Sequence, residues 1–256
     1  MRTSTAEPSR RGAPPPLTGR AWRRRLVPGL TLGMAVPVLL VAAFLWKPGL
    51  FFPGGLSDAV RRGRAAPSSV LVDRRGRVIF RIMDPLTGLH QAVPLSQVPL
   101  QLRQAIIATE DASFYRNPGV DAKGILRALW LNLRSGRIVS GGSTITQQVA
   151  RNLLISPQER YRRTLSRKLR ESLLAYALTG TLSKEEILAL YLNQTYFGDF
   201  AHGVASASAT YFGKPVSHLD LAECALLAGL PQAPSAYDPL THQEAAKRRQ
   251  RIVLDL

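Results

Sequence analysis

Two adjacent carboxylates, Glu110 and Asp111, open the run Ala112-Ser113-Phe114, and Gly119-Val120-Asp121 follows. Paired carboxylates near an aromatic ring can have one pKa raised while the other stays ionised, which suits acid/base work. Alone, the pair also reads as a solvated helix end. A second stretch runs from Gly141 to Asn152 and holds Gly142, Ser143, Thr144, Gln147, Gln148 and Arg151. Glycines before a hydroxyl-rich helix start place backbone N–H groups and a positive dipole end where an anion can bind. Simple N-capping gives the same pattern. In the third, Arg163 to Glu171, positions 163, 167, 170 and 171 share a helical face by three- and four-residue spacing, with Lys168 beside them. Such a stripe can hold an anion or merely solvate a helix. The fourth, Lys184 to Gly198, has apolar spacing typical of a core.

These stretches need helices to position them. Leu100 to Thr109 is amphipathic and leads into the carboxylate pair. Asp121 can cap a helix through Leu133, with Gly136 soon after. A third helix starts near Ser143 and stops at Pro157. A fourth is expected from about Gln158 to Thr179, closed by Gly180. Ser183-Lys184-Glu185-Glu186 is a capping box for a fifth, through Asn193. Ser217 is expected to begin another, stopped by Gly229 and Pro231, and Thr241-His242-Gln243-Glu244 opens a last one. Ahead of the helices, Ser69–Asp73 and Arg77–Arg81 flank Arg74-Arg75-Gly76 as a small hairpin.

Bulk properties narrow the setting. The 256 residues carry a net charge of +17, but eleven of the 34 basic side chains lie in the first 64 positions, against two acidic ones. They flank an apolar run from about Leu26 to Trp46, so a membrane explains them better than nucleic acid. That run contains no charged residue, is about long enough to cross a bilayer, and has Trp22 and Trp46 at its ends. Arg23, Arg24 and Arg25 predict a cytoplasmic N-terminus, with the bulk of the chain outside. The run reads as an uncleaved anchor rather than a signal peptide, since no good Ala-x-Ala site follows. The expected organisation is a disordered basic tail over 1–25, an anchor over 26–46, a linker over 47–68 and one domain over 69–256. The lone Cys224 excludes an intrachain disulfide and reads as a small buried hydrophobe.

In this order and spacing the four stretches resemble glycosyltransferase family 51, the peptidoglycan glycosyltransferase domain of class A penicillin-binding proteins and monofunctional transglycosylases. Gly141 to Asn152, Arg167-Lys168 with Glu171, and Tyr191-Leu192-Asn193 are near-literal family motifs. The resemblance implies a mainly helical, lysozyme-like fold with a small membrane-associated lobe around Ala122 to Arg137, where Leu129, Trp130, Leu131 and Leu133 suit lipid contact. It implies transfer of a growing glycan from its polyprenyl pyrophosphate onto the sugar 4-hydroxyl of lipid II, with inversion. By motif position Glu110 is the base and Glu171 supports the donor site. Arg151, Arg163, Arg167, Lys168, Gln147 and Gln148 match positions near the pyrophosphate, and Asp111, Ser143, Thr144 and Asn152 complete the expected substrate contacts. No cofactor or dedicated metal site is implied. A divalent cation (Mg or Mn) could still bridge the pyrophosphate. The implied partners are lipid II, the growing strand, the membrane and a cell-wall synthesis complex, with no nucleic acid.

One residue departs from the family pattern. Asn117 stands where the first motif usually has His, and Asn cannot carry a proton. If that position only supports the loop, activity survives; if it tunes Glu110, the rate should drop. No Ser is followed by Lys three positions on, so these residues cannot supply a penicillin-reactive transpeptidase. The last helix lacks a stop signal, which suits a truncated class A protein. Two rival readings are a lysozyme-like glycan-cleaving enzyme, which the basic stripe disfavours, and an inactive scaffold, which the intact Glu110 and Glu171 disfavour.

Overall fold

The computed structural model describes residues 55–63, 68–82, 88–136, 141–162 and 164–256. The chain divides into two units, Met1–Trp46 and Lys47–Leu256, and all described residues belong to the second. The expected tail and anchor lie outside the described residues, as does Arg163. Among the described residues no helix is long and apolar enough to cross a membrane.

Within the stretch read as a linker, Leu56–Gly63 forms a short helix, α1, that buries Leu56 and Val60. The hairpin forms as expected from β1 (Val70–Val72) and β2 (Val78–Arg81), antiparallel, with Leu71 opposite Phe80. Asp73 fixes its turn by accepting from the backbone N–H groups of Arg75 and Arg77. β3 (Leu89–His90) pairs in parallel with β4 (Ala201–His202), tying the segment before the first core helix to the loop after the seventh.

The domain is otherwise helical: α2 (Leu100–Glu110), α3 (Ala122–Ser135), α4 (Ile145–Leu154), the single turn α5 (Pro157–Arg160), α6 (Leu165–Thr181), α7 (Lys184–Gln194), α8 (Val204–Phe212), α9 (Leu221–Gly229) and α10 (Gln243–Leu254). Their starts follow local chemistry. Asp121, Thr144, Thr164, Ser183 and Asp220 each accept a backbone N–H of the first turn. α2 packs against α9 and α10, while α4 is enclosed by α1, α6 and α7. Leu102, Ile106, Leu178, Leu188, Leu192, Leu227 and Leu230 are buried at these contacts.

Two expectations need correction, and one helix had no counterpart among them. The fourth helix is broken: Thr164 caps a new start by accepting from Arg167 N, and the helix then runs through Gly180 to Thr181. The helix expected from Ser217 starts at Asp220, because Asp220 and Glu223 form a reciprocal capping box while Ser217 sits in a 3-10 turn. α8 was not expected. Its residues Val204 to Ser208 are buried and small, so no amphipathic period marks it.

Candidate active site

α4 positions much of the site. Ile145, Thr146, Gln147, Val149, Ala150 and Leu153 are buried, which leaves one open stripe of Gln148, Arg151 and Asn152 at three- and four-residue spacing. Gln148 Nε2 donates to Glu110 Oε2 at 2.6 Å, so the end of α2 and the middle of α4 share one hydrogen bond. Glu110 is half-buried, and burial pushes its carboxyl up from the ordinary range. The Gln148 bond and the charges of Arg249 and Arg151 pull it back, while Asp111 pushes it further up. Tyr191 of α7 is buried nearby, and burial holds its phenol well above its usual pKa. A carboxyl in this balance can take a proton from a hydroxyl.

Asp111 has a different setting. It is buried, and its carboxylate accepts from Asn117 Nδ2 (2.9 and 3.1 Å) and from Ile145 N (3.2 Å). Burial pushes its pKa up, against those donors. Both carboxyls of the pair are pushed up, because both are desolvated. The α4 N-terminus is likewise occupied from within. Ile145 N goes to Asp111, and Gln147 N goes to Thr144 Oγ1 (3.1 Å). The anion seated at this helix end is therefore the protein's own carboxylate.

Asn117 organises the loop between them. Its Nδ2 serves Asp111, its Oδ1 accepts from Gly119 N (3.0 Å), and its carbonyl accepts from Lys184 Nζ (2.8 Å). Lys184 Nζ also stands 4.7 Å over the Phe114 ring. The contacts of Asn117 run to Asp111 rather than to Glu110. Gly119, at φ 96°, lies so close to α6 that a Cβ would sit 2.4 Å from Ala175 O. Thr144 Oγ1 donates to Gly119 O (2.6 Å), closing loop and helix together.

The third stretch gathers cations around one carboxylate. Glu171 is 1% exposed and ion-paired with Arg167 and with Lys168 (3.3 Å). Lys168 Nζ also donates to Ser143 Oγ at 2.6 Å. Burial, then Arg151 and Arg167, pull its ammonium down to about 8; the neighbouring Glu171 carboxylate acts in the opposite sense. Arg170 leaves this group and pairs with Glu159 on the exposed side (2.7 Å). Arg160 donates to the carbonyls of Asn152 (2.7 Å) and Ile155 (3.3 Å), fixing the turn beyond α4.

The structure thus brings Glu110, Gln148, Arg151 and Asn152 onto one surface, and joins Ser143, Arg167, Lys168 and Glu171 into one group. Asp111, Thr144 and Gln147 are buried; Gln147 Oε1 accepts from Thr144 N (3.0 Å) and from Lys168 Nζ (3.4 Å), and its Nε2 donates to Ser172 Oγ (2.8 Å). They brace the site from behind. Sequence reasoning missed Lys184, Ser172 and Arg249; Lys184 meets Asn117 across 67 positions, which no local spacing reveals. Among the described residues no group of three or more His, Cys, Asp or Glu is placed to hold a metal ion.

Comparison with known proteins adds the family. Penicillin-binding protein 1A of Neisseria lactamica is 50% identical over 161 residues, 63% of this chain and 20% of that protein. Penicillin-binding protein 1A of Aquifex aeolicus is 48% identical over 189 residues, 73% of this chain and 25% of that protein. The chain therefore spans about a quarter or less of these relatives. A crystal structure of penicillin-binding protein 1A from Haemophilus influenzae aligns at 23% identity with a TM-score of 0.39, over 75% of this chain and 18% of that one. A family model described as Transglycosylase matches residues 76–256. That match contains every residue of the site built above, and the chain belongs to the transglycosylase family.

Proposed function

We propose that this domain is a peptidoglycan glycosyltransferase that polymerises lipid II. The observation that supports this best is the group in which buried Glu171 holds Arg167 and Lys168 beside Ser143. A buried carboxylate that fixes two cations makes a preorganised anion cradle, and such preorganisation is what a departing pyrophosphate needs. Asn152 and Arg151 extend the cradle along α4 toward Glu110, with Arg163 assigned to it by sequence.

In this reading Glu110 takes the proton of the acceptor 4-hydroxyl as that oxygen bonds to the donor's anomeric carbon. The bond from that carbon to the pyrophosphate breaks on the opposite face, and its electron pair leaves with the pyrophosphate. Arg151, Arg167 and Lys168 offset the charge that develops there. A divalent cation (Mg or Mn) would arrive with the pyrophosphate and add to that charge stabilisation.

The membrane setting belongs to the same reading. α3 exposes Leu126, Trp130 and Leu133, with Arg134 5.3 Å from the Trp130 ring, an apolar face with basic neighbours that suits the lipid surface where the substrate lies. An anchor over 26–46 would keep the domain outside the cell membrane, within reach of the growing strand and a cell-wall synthesis complex. The test is purified protein with labelled lipid II in detergent or vesicles. The expected product is a long β-linked polymer. A protein that leaves lipid II intact, or that shortens preformed glycan instead, refutes the proposal.

A further inference from the structure

α6 carries apolar residues on two sides. Leu174, Ala175, Ala177 and Leu178 are buried and dock the helix. Leu165, Leu169 and Tyr176 recur at helical spacing on another side and are exposed, with half-buried Leu173 among them. Leu165 is 91% exposed and Leu169 59%, and Tyr161, in the turn before the helix, is 82% exposed. A surface helix ordinarily turns its apolar stripe inward and its polar residues outward. Single exposed leucines need no explanation, but a stripe of them marks a surface that something covers. From Leu165 to Tyr176 the stripe runs about 16 Å, at about 1.5 Å per residue.

The place of the stripe identifies its occupant. Leu165 stands three residues before Lys168, one turn away on the same helix, so the stripe borders the side that holds Arg167, Lys168 and Glu171. Ser172, three residues after Leu169, accepts from Gln147 of α4 and lies between the stripe and the site. A donor pyrophosphate held by those cations carries the glycan on one side and a prenyl chain on the other. That chain begins one ester bond from the charged group, so it has to lie on apolar surface that starts at the cradle. We propose that the outward stripe of Leu165, Leu169 and Tyr176 is the subsite for the prenyl chain of the donor. This rests on the reading of the Arg167–Lys168–Glu171 group as a pyrophosphate cradle. The first prenyl units lie against Leu165 and Leu169, and the chain stays esterified to the pyrophosphate as that group departs. The cradle recognises charge; the stripe tells a prenyl ester from the bare anion. The exposed face of α3 differs, because Leu126, Trp130 and Leu133 share their helix with no cradle residue, and it suits the bilayer instead.

The test is calorimetric binding of two probes, inorganic pyrophosphate and geranyl pyrophosphate, to the full chain in nanodiscs of neutral phospholipid. The wild type should bind the geranyl ester more tightly than the bare anion. Leu165→Gln and Leu169→Gln together should weaken the geranyl ester about tenfold, the order expected for apolar surface left in water. Binding of inorganic pyrophosphate and melting should stay unchanged, since both side chains are exposed and the fold does not depend on them. A double variant that keeps the preference overturns the proposal, and the stripe then faces the bilayer or the chain's own anchor. Equal losses for both probes also overturn it, because the variant then disturbs the cradle rather than an apolar subsite. A wild type that binds both probes equally refutes the subsite alone. One that binds neither refutes the cradle reading, and the subsite with it. One that prefers the geranyl ester but leaves lipid II intact refutes the polymerase reading and leaves the prenyl subsite standing.

Discussion

Glu110 and Glu171 are both carboxylates beside α4, yet their surroundings are opposite. Glu110 is half-buried and accepts one neutral hydrogen bond, from Gln148. Glu171 is fully enclosed and bonded to two cations. A carboxylate with spare lone pairs and an upward-shifted pKa can exchange a proton. One saturated by Arg167 and Lys168 is a fixed counter-charge, and what it offers is the placement of those cations. Asp111 gives a third case, a carboxylate held by neutral donors that joins a loop to a helix end. Residue type therefore does not assign the role; the partners do.

Substituting each glutamate by Gln tests this contrast most directly. Glu110→Gln should lower polymerisation by about 10²–10⁴-fold, the usual cost of losing a general base. Its stability should move the other way. The folded pKa of Glu110 is raised, so ionising it costs the folded state at pH values above the unfolded pKa. Gln removes that cost, so the variant should melt no lower than wild type at neutral pH, and any advantage should vanish in acid, where both forms are neutral. A clearly destabilised Glu110→Gln protein would break the contrast.

Glu171→Gln should lose activity and stability together. Removing one member of a buried ion group costs about 3–5 kcal/mol, and the lower end applies because Lys168 is about one-third exposed. Denaturant melts at neutral pH measure this. If Glu171→Gln is as stable as Glu110→Gln, the two carboxylates do not differ as described.

Lys168 sharpens the cradle. Its ammonium, pulled down to about 8, loses its charge as pH rises, with Glu171 delaying the loss. kcat/KM for lipid II should therefore fall along an alkaline limb at or above pH 8, and Lys168→Arg should remove that limb. Lys168→Gln should lose roughly 1.5–3 kcal/mol of donor stabilisation, about ten- to a hundredfold. Arg170→Gln, on the exposed side, should leave the rate unchanged. Equal losses at 168 and 170 would dissolve the distinction.

The smallest expected effect is at Asn117. Because it braces Asp111 rather than Glu110, Asn117→Ala should cost about 1–3 kcal/mol for the buried partners left unsatisfied. The acid limb of the pH–rate profile should stay in place. A moved limb would show that this position tunes the base after all.

Much was legible in the sequence because it was local. The hairpin turn at Asp73, the capping box at Ser183 and the start of α3 at Asp121 depend on residues within four positions of one another. The family motifs brought Glu110, Lys168 and Glu171 to notice at once, since they stand in a fixed order along the chain. Tertiary structure decided which groups face the site and which serve the interior. Gln147 and Gln148 are neighbours of one type, yet α1, α6 and α7 enclose the first and leave the second open to Glu110. The helix end that read equally as an anion site or a simple cap receives Asp111, 34 positions away, and Arg249 reaches the Gly229 carbonyl across 20. Such contacts depend on how helices pack, and packing buries whichever face is apolar regardless of how far apart its residues lie in the chain.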